Sequence, residues 1–313
     1  MECLAKPDFL GFGTWQCSNE EAKSAVYCAI KAGYRHLDCA FEYLNEPGIG
    51  EGIKQAISEK LVKRNELWVT TKLWNTFHKP ELVEYQCRKS LKNLQLDYLD
   101  AFIIHWPLSF VHRNDDDLYP RDDQQHIIYD QGYTLYDTWC EMEKLVQKGL
   151  VKHIGLSNFT ILAMQDLLSK AKIKPFVHEI EVHPYLQNEK VIHYSQSHGM
   201  TILAYSPLGG NYSYGPLKGQ KTPCLNEKAV IEIAKAHSKS SAQVILRWHL
   251  QKYAKNDLYC VLPKSSVEDR IVQNSKIFDF ELTENEMEAI NNLDRNLRLN
   301  DAGAVWWGVP TFD

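Results

Sequence analysis

Short apolar runs alternate with longer amphipathic stretches along this chain, and the alternation is regular from end to end. The stretch Leu99–Ile104 (LDAFII) sets the type, being nearly unbroken and rich in β-branched and aromatic side chains. Such a run fits a strand buried on both faces, and Pro107 shortly beyond it forbids easy continuation of the ladder. Comparable runs predict strands at Phe9–Gly13, Tyr34–Asp38, Glu66–Thr71, His153–Leu156, Phe176–Glu181, Met200–Tyr205 and Tyr259–Leu262. Apolar residues at helical spacing predict helices at Asn19–Ala32, Ile49–Lys60, Pro80–Leu94, Leu135–Lys148, Ile161–Ser169 and Glu189–Ser197. Glu227–Lys239 reads as an inserted helix before Ala242–Tyr253, and Val267–Ser275 and Glu284–Leu293 follow the last strand. Pro80 suits a first helical turn, and Asn158 and Thr160 are both plausible caps for the helix after them. The tail, Asn296–Asp313, reads as irregular and aromatic.

Eight strand-then-helix units, with no linker rich in Gly, Ser or Pro, predict an α/β fold of the (β/α)8 TIM barrel type, one domain over residues 1–313. A doubly wound dinucleotide fold is the competitor, but its phosphate fingerprint is missing. After Gly11-Phe12-Gly13, Gln16 stands where the third glycine belongs.

Composition narrows the function. At 313 residues, 44% hydrophobic and 24% charged, the chain reads as an ordinary soluble protein. A net charge of −5 argues against nucleic acid or an anionic membrane as the main partner. No apolar run is long enough for a bilayer, and the start, MECLAKPDFL, lacks the plan of a signal peptide. The eight cysteines make no Cys-x-x-Cys pair, so free thiols in a reducing cytoplasm are expected. In a cytosolic protein the glycosylation-type triplets at Asn158 and Asn211 carry little weight.

Barrels of this kind carry their chemistry at the carboxyl ends of the strands. Those ends deliver Trp15, Asp38, Lys72, His105, Ser157-Asn158, Glu179, Tyr205-Ser206 and Lys264-Ser265 to one rim. Any one of them could cap a turn, but eight strands agree. Tyr43 follows Asp38 by one short loop, and a phenol titrates too high to be an efficient acid unaided. An ammonium at Lys72 is expected to lower that pKa, with Asp38 holding the lysine charged and in place. His105, in an apolar setting, is expected to stay neutral and to donate a hydrogen bond rather than serve as the acid. No Asp/His ligand cluster accompanies His105, so a metal-dependent hydrolase, the rival enzyme class, is disfavoured and no metal is expected.

The segment from His36 to Gly50 (HLDCAFEYLNEPGIG), the strand end IIHWP, Gly155–Phe159, Ala204–Leu208 and Leu262–Ser265 resemble the aldo-keto reductases, with the aldose and aldehyde reductases most alike. The motifs stand in the family's order over almost the whole chain. The resemblance implies hydride transfer from NADPH to a small-molecule aldehyde or ketone, giving the alcohol and NADP+. It implies a catalytic tetrad of Asp38, Tyr43, Lys72 and His105, with Tyr43 as general acid and His105 aiming the substrate oxygen. Cofactor contacts are implied at Thr14, Trp15, Asp38, Ser157, Asn158, Glu179, Tyr205, Ser206, Leu208, Lys264, Ser265, Arg270 and Asn274. Within that set Tyr205 stacks on the nicotinamide, and Lys264 and Arg270 grip the 2′-phosphate that NADH lacks. Substrate contacts are implied at Trp15, Tyr43, Trp74, His105, Trp106 and Phe110, suggesting hydrophobic or aromatic aldehydes. A cytosolic monomer is expected. A cofactor-binding protein in a structural or regulatory role is the reading from another class, and the intact tetrad argues against it.

Four departures stand out. His178-Glu179 replaces the family's usual Asn-Gln, and an ionised Glu179 would favour the positively charged oxidised cofactor. The amino terminus is short for the β-hairpin that usually plugs the barrel floor, leaving that floor expected to be only partly covered. Gln273 stands where Glu is common. The connection Leu108–Tyr133 is long and acidic, its charges expected to be a solvated face, and Trp306-Trp307 of the tail are expected either to wall the pocket or to pack outside the barrel.

Overall fold

The computed structural model describes residues 6–210, 222–254 and 257–312. Eight parallel strands run in sequence order around one sheet: β1 (Gly11–Gly13), β2 (His36–Asp38), β3 (Trp68–Leu73), β4 (Leu99–Ile104), β5 (Val151–Ser157), β6 (Val177–Glu181), β7 (Thr201–Tyr205) and β8 (Tyr259–Leu262). A parallel bridge between Leu10 and Val261 joins the last strand to the first, so the sheet closes on itself. The expected (β/α)8 barrel is the fold.

Strand alternation fixes what the barrel contains. Trp68, Ala101, Ile103, Val177, Leu203, Cys260 and Leu262 form a buried cluster of their own, apart from the larger core under the helices. At the amino ends of the strands the Trp68 ring stacks on His153 at 5.3 Å, and His153 on Phe176 at 3.9 Å. These rings lie at the barrel floor, with Trp68 buried and His153 and Phe176 half-buried. Above them His36 lies 3.1 Å from both Cys260 Sγ and Thr70 Oγ1, its charge disfavoured by burial.

The helices are α1 (Asn19–Lys31), α2 (Glu46–Ser58), α3 (Pro80–Leu94), α4 (Leu135–Gln147), α5 (Ile161–Lys170), α6 (Glu189–Ser197), α7 (Lys228–Ala236), α8 (Ser241–Tyr253), α9 (Glu268–Ser275) and α10 (Glu284–Asn291). Capping boxes start α1, α4, α8 and α10, satisfying amides that would otherwise be orphaned. Thr160, not Asn158, caps α5, because Asn158 is buried and committed elsewhere. The helix expected from Ile49 begins earlier, at Glu46, with Pro47 in its first turn. Glu46 is buried and accepts from Thr71 Oγ1 at 2.8 Å, a tertiary bond invisible to helical periodicity. Glycines let α2 sit close to its neighbours: a Cβ on Gly48 would lie 2.1 Å from Asn19 O, and one on Gly50 2.7 Å from the Leu94 backbone.

The tail is ordered. Glu181 accepts from the amides of Leu299 and Asn300 at 2.9 Å each, and a π-helical turn follows at Gly303–Trp307. The acidic connection folds back through bridges Phe110–Tyr129 and Arg121–Ile127. Its charges are only partly a solvated face, since Asp115 accepts from Tyr85 Oη at 2.5 Å and Lys89 Nζ at 2.6 Å. Cys17, Cys28, Cys39, Cys87, Cys140, Cys224 and Cys260 are free thiols. The triplet at Asn211 lies outside the described residues. No helix among the described residues is long and apolar enough to cross a membrane.

Candidate active site

The carboxyl ends of the strands open on a cavity of about 720 Å³. Asp38 ends β2, Lys72 is the last residue but one of β3, and His105 follows β4 directly. Ser157 ends β5, Glu179 sits on β6, and Tyr205 ends β7. Tyr43 comes from a single short turn, Phe41–Tyr43, between β2 and α2.

Lys72 is the hub. Its side chain is fully buried, and Nζ donates to Asp38 Oδ1 at 2.8 Å, Asp38 Oδ2 at 2.9 Å and Cys39 O at 3.0 Å. The same nitrogen lies 3.3 Å from Tyr43 Oη and 3.3 Å from Glu179 Oε1. Burial pushes the ammonium towards neutrality, but Asp38, Glu179 and Tyr43 outweigh it and hold Lys72 well above the ordinary lysine range. Two carboxyls thus flank one ammonium out of water. Burial raises both, and Glu179 the more strongly, because Asp38 repels its charge while taking the two short bonds from Lys72. One ammonium beside two carboxyls is neutral as a set when one carboxyl keeps its proton, and Asp38, which takes the two short bonds from Nζ, is the better placed to be the ionised one. The expectation for Glu179 concerned its ionised form, and burial acts against that form here.

Tyr43 also differs from expectation. Burial raises its hydroxyl well above the ordinary value, and the carboxyls add to that, while Lys72 alone pulls it down. The lysine moderates a raised pKa rather than producing a lowered one, so Tyr43 rests as the neutral phenol. His105 is driven well below its ordinary value by burial, with the charge of Lys72 adding to it. It is neutral, as expected, with its ring edge-on to Trp74 at 5.2 Å and to Tyr43 at 5.8 Å.

The remaining implied contacts divide in two. Thr14, Trp15, Ser157, Asn158, Tyr205, Ser206, Leu208, Lys264, Ser265 and Arg270 line the cavity with the tetrad side chains Asp38, Tyr43 and His105, and so do Trp74 and Trp106. Among the described residues the wall does not include Phe110 or Asn274. Phe110 is fully buried behind Trp307, ring centres 5.2 Å apart, and supports that wall from the rear. Asn158 has left-handed backbone at φ 63°, and its side chain donates to His105 O at 3.0 Å and accepts from Tyr205 Oη at 2.8 Å. It ties the ends of β4, β5 and β7 together. His178 is structural, its Nδ1 2.9 Å from Ser195 Oγ and its Nε2 accepting from Phe159 N.

Tail and loop complete the cavity. Trp307 packs 5.1 Å from Trp106 and 6.0 Å from Trp74, held by Tyr129 Oη donating to its carbonyl at 2.7 Å. The pocket-wall alternative for the tail is the one realised. Sequence reasoning missed Glu42, Tyr119 and Asn300, which also line the cavity. Tyr119 Oη donates to Glu42 Oε1 at 2.5 Å, placing a polar edge beside Tyr43. The adjacency of Glu42 to Tyr43 was the one available signal.

The residues fit a nicotinamide dinucleotide. Glu179 Oε2 is buried and meets no N–H or O–H donor in a side chain that lines the cavity. At the far end, Lys264, Ser265 and Arg270 line the cavity beside the start of α9, and the two cations suit a phosphate there, although Glu268 and Asp269 stand in the same turn.

Comparison with known proteins agrees with this geometry. A model of the aldo/keto reductase family matches residues 9–295. Aldo-keto reductase family 1 member A1 of Homo sapiens is 42% identical over 94% of this chain and 88% of its own length. An NAD(P)H-dependent D-xylose reductase of Candida tropicalis is 44% identical over 97% of this chain and 94% of its own. A solved aldose reductase from Giardia lamblia superposes with a TM-score of 0.93 at 42% identity, covering 99% of this chain and all of that one. Sequence, fold and the arrangement of the rim coincide, and the chain belongs to the aldo-keto reductase family.

Proposed function

We propose that Tyr43 completes, as general acid, the NADPH-dependent reduction of a carbonyl group to the alcohol that this enzyme carries out. The observation that carries this reading is the fully buried Lys72, bonded to Asp38 and 3.3 Å from the Tyr43 hydroxyl at the cavity wall. NADPH, when bound, supplies a hydride to the carbonyl carbon. His105, neutral, donates to the carbonyl oxygen and orients it. Tyr43 gives its proton as negative charge develops on that oxygen, and Lys72 stabilises the phenolate left behind, because an adjacent ammonium lowers the cost of that charge. Asp38 keeps Lys72 charged and aimed. Ser157, Asn158 and Glu179 hold the carboxamide, Tyr205 flanks the ring, and Lys264 and Arg270 bind the 2′-phosphate through charge-assisted bonds.

The substrate is an aldehyde with an apolar face and hydroxyl groups. Trp15, Trp74, Trp106 and Trp307 supply apolar walls, and the Glu42–Tyr119 pair, with Asn300, supplies acceptors and donors for hydroxyls. The relative named for D-xylose reduction is consistent with that chemistry. Every tetrad group comes from one chain, which supports a single-domain monomer, and the net charge of −5 and reduced thiols support a cytosolic enzyme without a nucleic-acid partner. The test follows NADPH absorbance with paired aldehydes, one hydroxylated and one not. Turnover of both is expected, with Glu42→Ala raising KM for the hydroxylated member only. Equal effects on both would remove Glu42 from the substrate site, and absence of turnover across the panel would refute the activity.

A further inference from the structure

Three charged groups of this site share too few protons for each to be used once. Asp38 and Lys72 form one ion pair, and Glu179 adds a second carboxyl within 3.3 Å of the same Nζ. Its other oxygen, Oε2, is buried and has no hydrogen-bond partner, and Asp38, bonded to the same Nζ, is the other carboxyl of the cluster. Two buried carboxyls beside one ammonium are neutral as a set only when one of them keeps its proton. Asp38 takes two short bonds from Nζ and Glu179 one longer contact, so the proton is assigned to Glu179, and Lys72 links it to Tyr43 through contacts of 3.3 Å on each side.

We propose that Glu179 is the proton reserve of the reaction, its carboxyl proton replacing the one that Tyr43 gives to the product. This rests on the reading of Tyr43 as general acid. The bonds balance. A hydride leaves the reduced cofactor with its electron pair and forms the new C–H bond, so the carbonyl is reduced and the cofactor oxidised. The Tyr43 O–H breaks as the alcohol O–H forms. A Lys72 N–H breaks as the Tyr43 O–H re-forms, and the Glu179 O–H breaks as that Lys72 N–H re-forms. Carbonyl, NADPH and the Glu179 carboxylic acid become alcohol, NADP+ and the Glu179 carboxylate. No net charge is created in the site, because the positive charge gained by the cofactor and the negative charge gained by Glu179 arise together. A solvent proton restores Glu179 once the products leave.

The titratable and charged groups that act on Glu179 are Asp38 and Tyr43 from β2 and the turn after it, Lys72 from β3 and Cys260 from β8, with His105 after β4 and Tyr205 of β7 lining the same cavity. His105 is already neutral and the Cys260 thiol is raised well above its ordinary value by burial, so neither competes for the proton at neutral pH. Glu179 is therefore the group whose ionisation follows the charge of the bound ring.

The consequence is measurable without turnover. Protonated Glu179 suits NADPH and ionised Glu179 suits NADP+, so NADP+ gains affinity as pH rises while NADPH does not. Dissociation constants of both cofactors are measured by quenching of tryptophan fluorescence from about pH 5 to about pH 9. The ratio Kd(NADP+)/Kd(NADPH) is the readout, because titration of the shared 2′-phosphate cancels in it. In the wild type the ratio is expected to fall by up to about tenfold per pH unit, the limit for one linked proton. In Glu179→Gln, which cannot ionise, it is expected to be flat. A second measurement needs no variant: NADP+ binding in weakly buffered indicator dye is expected to release a proton, and NADPH binding none. A flat ratio in the wild type, or the same slope in Glu179→Gln, would overturn the proton reserve while leaving the tetrad in place. A wild type that binds neither cofactor would instead overturn the reading of the site itself.

Discussion

Replacing Asp38 by Asn tests the charge arrangement around Lys72 most searchingly. Asn keeps the shape of the side chain and removes the charge that receives two bonds from Nζ, at 2.8 and 2.9 Å. Removing the sole partner of a buried charge costs about 3–5 kcal/mol. Lys72 has a second potential counter-ion in Glu179, 3.3 Å away, which needs only to give up its proton. The expected loss for Asp38→Asn is therefore smaller, about 1–3 kcal/mol, comparable to losing one charged hydrogen bond. Glu179→Gln alone exchanges a neutral acid for a neutral amide of the same shape and is expected to cost under about 1 kcal/mol. The double variant leaves the ammonium with neutral acceptors and no counter-ion and is expected to cost about 3–5 kcal/mol. Urea unfolding of the four proteins at pH 7 gives the cycle, with an expected coupling of about 1–3 kcal/mol. Additivity within about 0.5 kcal/mol would refute the reasoning, since it would mean that Glu179 never takes over the charge.

Two further outcomes follow from the structure. Gly50→Ala should raise helix propensity by about 1 kcal/mol yet lower stability by about 1–3 kcal/mol, because the new Cβ would sit 2.7 Å from the Leu94 backbone; thermal unfolding checks the sign. Arg270→Ala, at the rim beside α9, should weaken NADPH about ten- to hundredfold by removing one charge-assisted bond and leave NADH affinity unchanged, as equilibrium binding would register.

The barrel was legible because its cause is local. Buried parallel strands must be short apolar runs, and Leu99–Ile104 ends where the pattern said. Candidate chemistry was legible for a related reason: strand ends share one rim, so position in the pattern already gives position in space. What escaped the sequence arises from tertiary contact. Glu46 looked like a loop residue, and only its bond to Thr71 shows why α2 starts there. Glu42, Tyr119 and Asn300 reach the cavity from a turn, a long connection and the tail, and no periodicity relates them. Phe110 was expected in the wall and lies behind it, because Trp307 of the distant tail occupies that surface. For Tyr43 the neighbours were anticipated and the outcome was not, while the contact of Glu179 with Lys72 was not anticipated at all. The sum of burial and three opposing charges sets their protonation, and that sum depends on distances.

The central claim is that Tyr43 delivers the proton while Lys72 steadies the charge left on it. Single-turnover reduction of an aldehyde by Tyr43→Phe, with NADPH affinity measured on the same sample, tests it most directly. The phenyl ring keeps the packing against His105, at a centroid distance of 5.8 Å, and removes only the hydroxyl. The account predicts a rate lowered about 10²–10⁴-fold, the usual worth of a positioned general acid, with NADPH binding unchanged. A Tyr43→Phe enzyme that keeps its rate to within a few-fold while binding NADPH normally would contradict it.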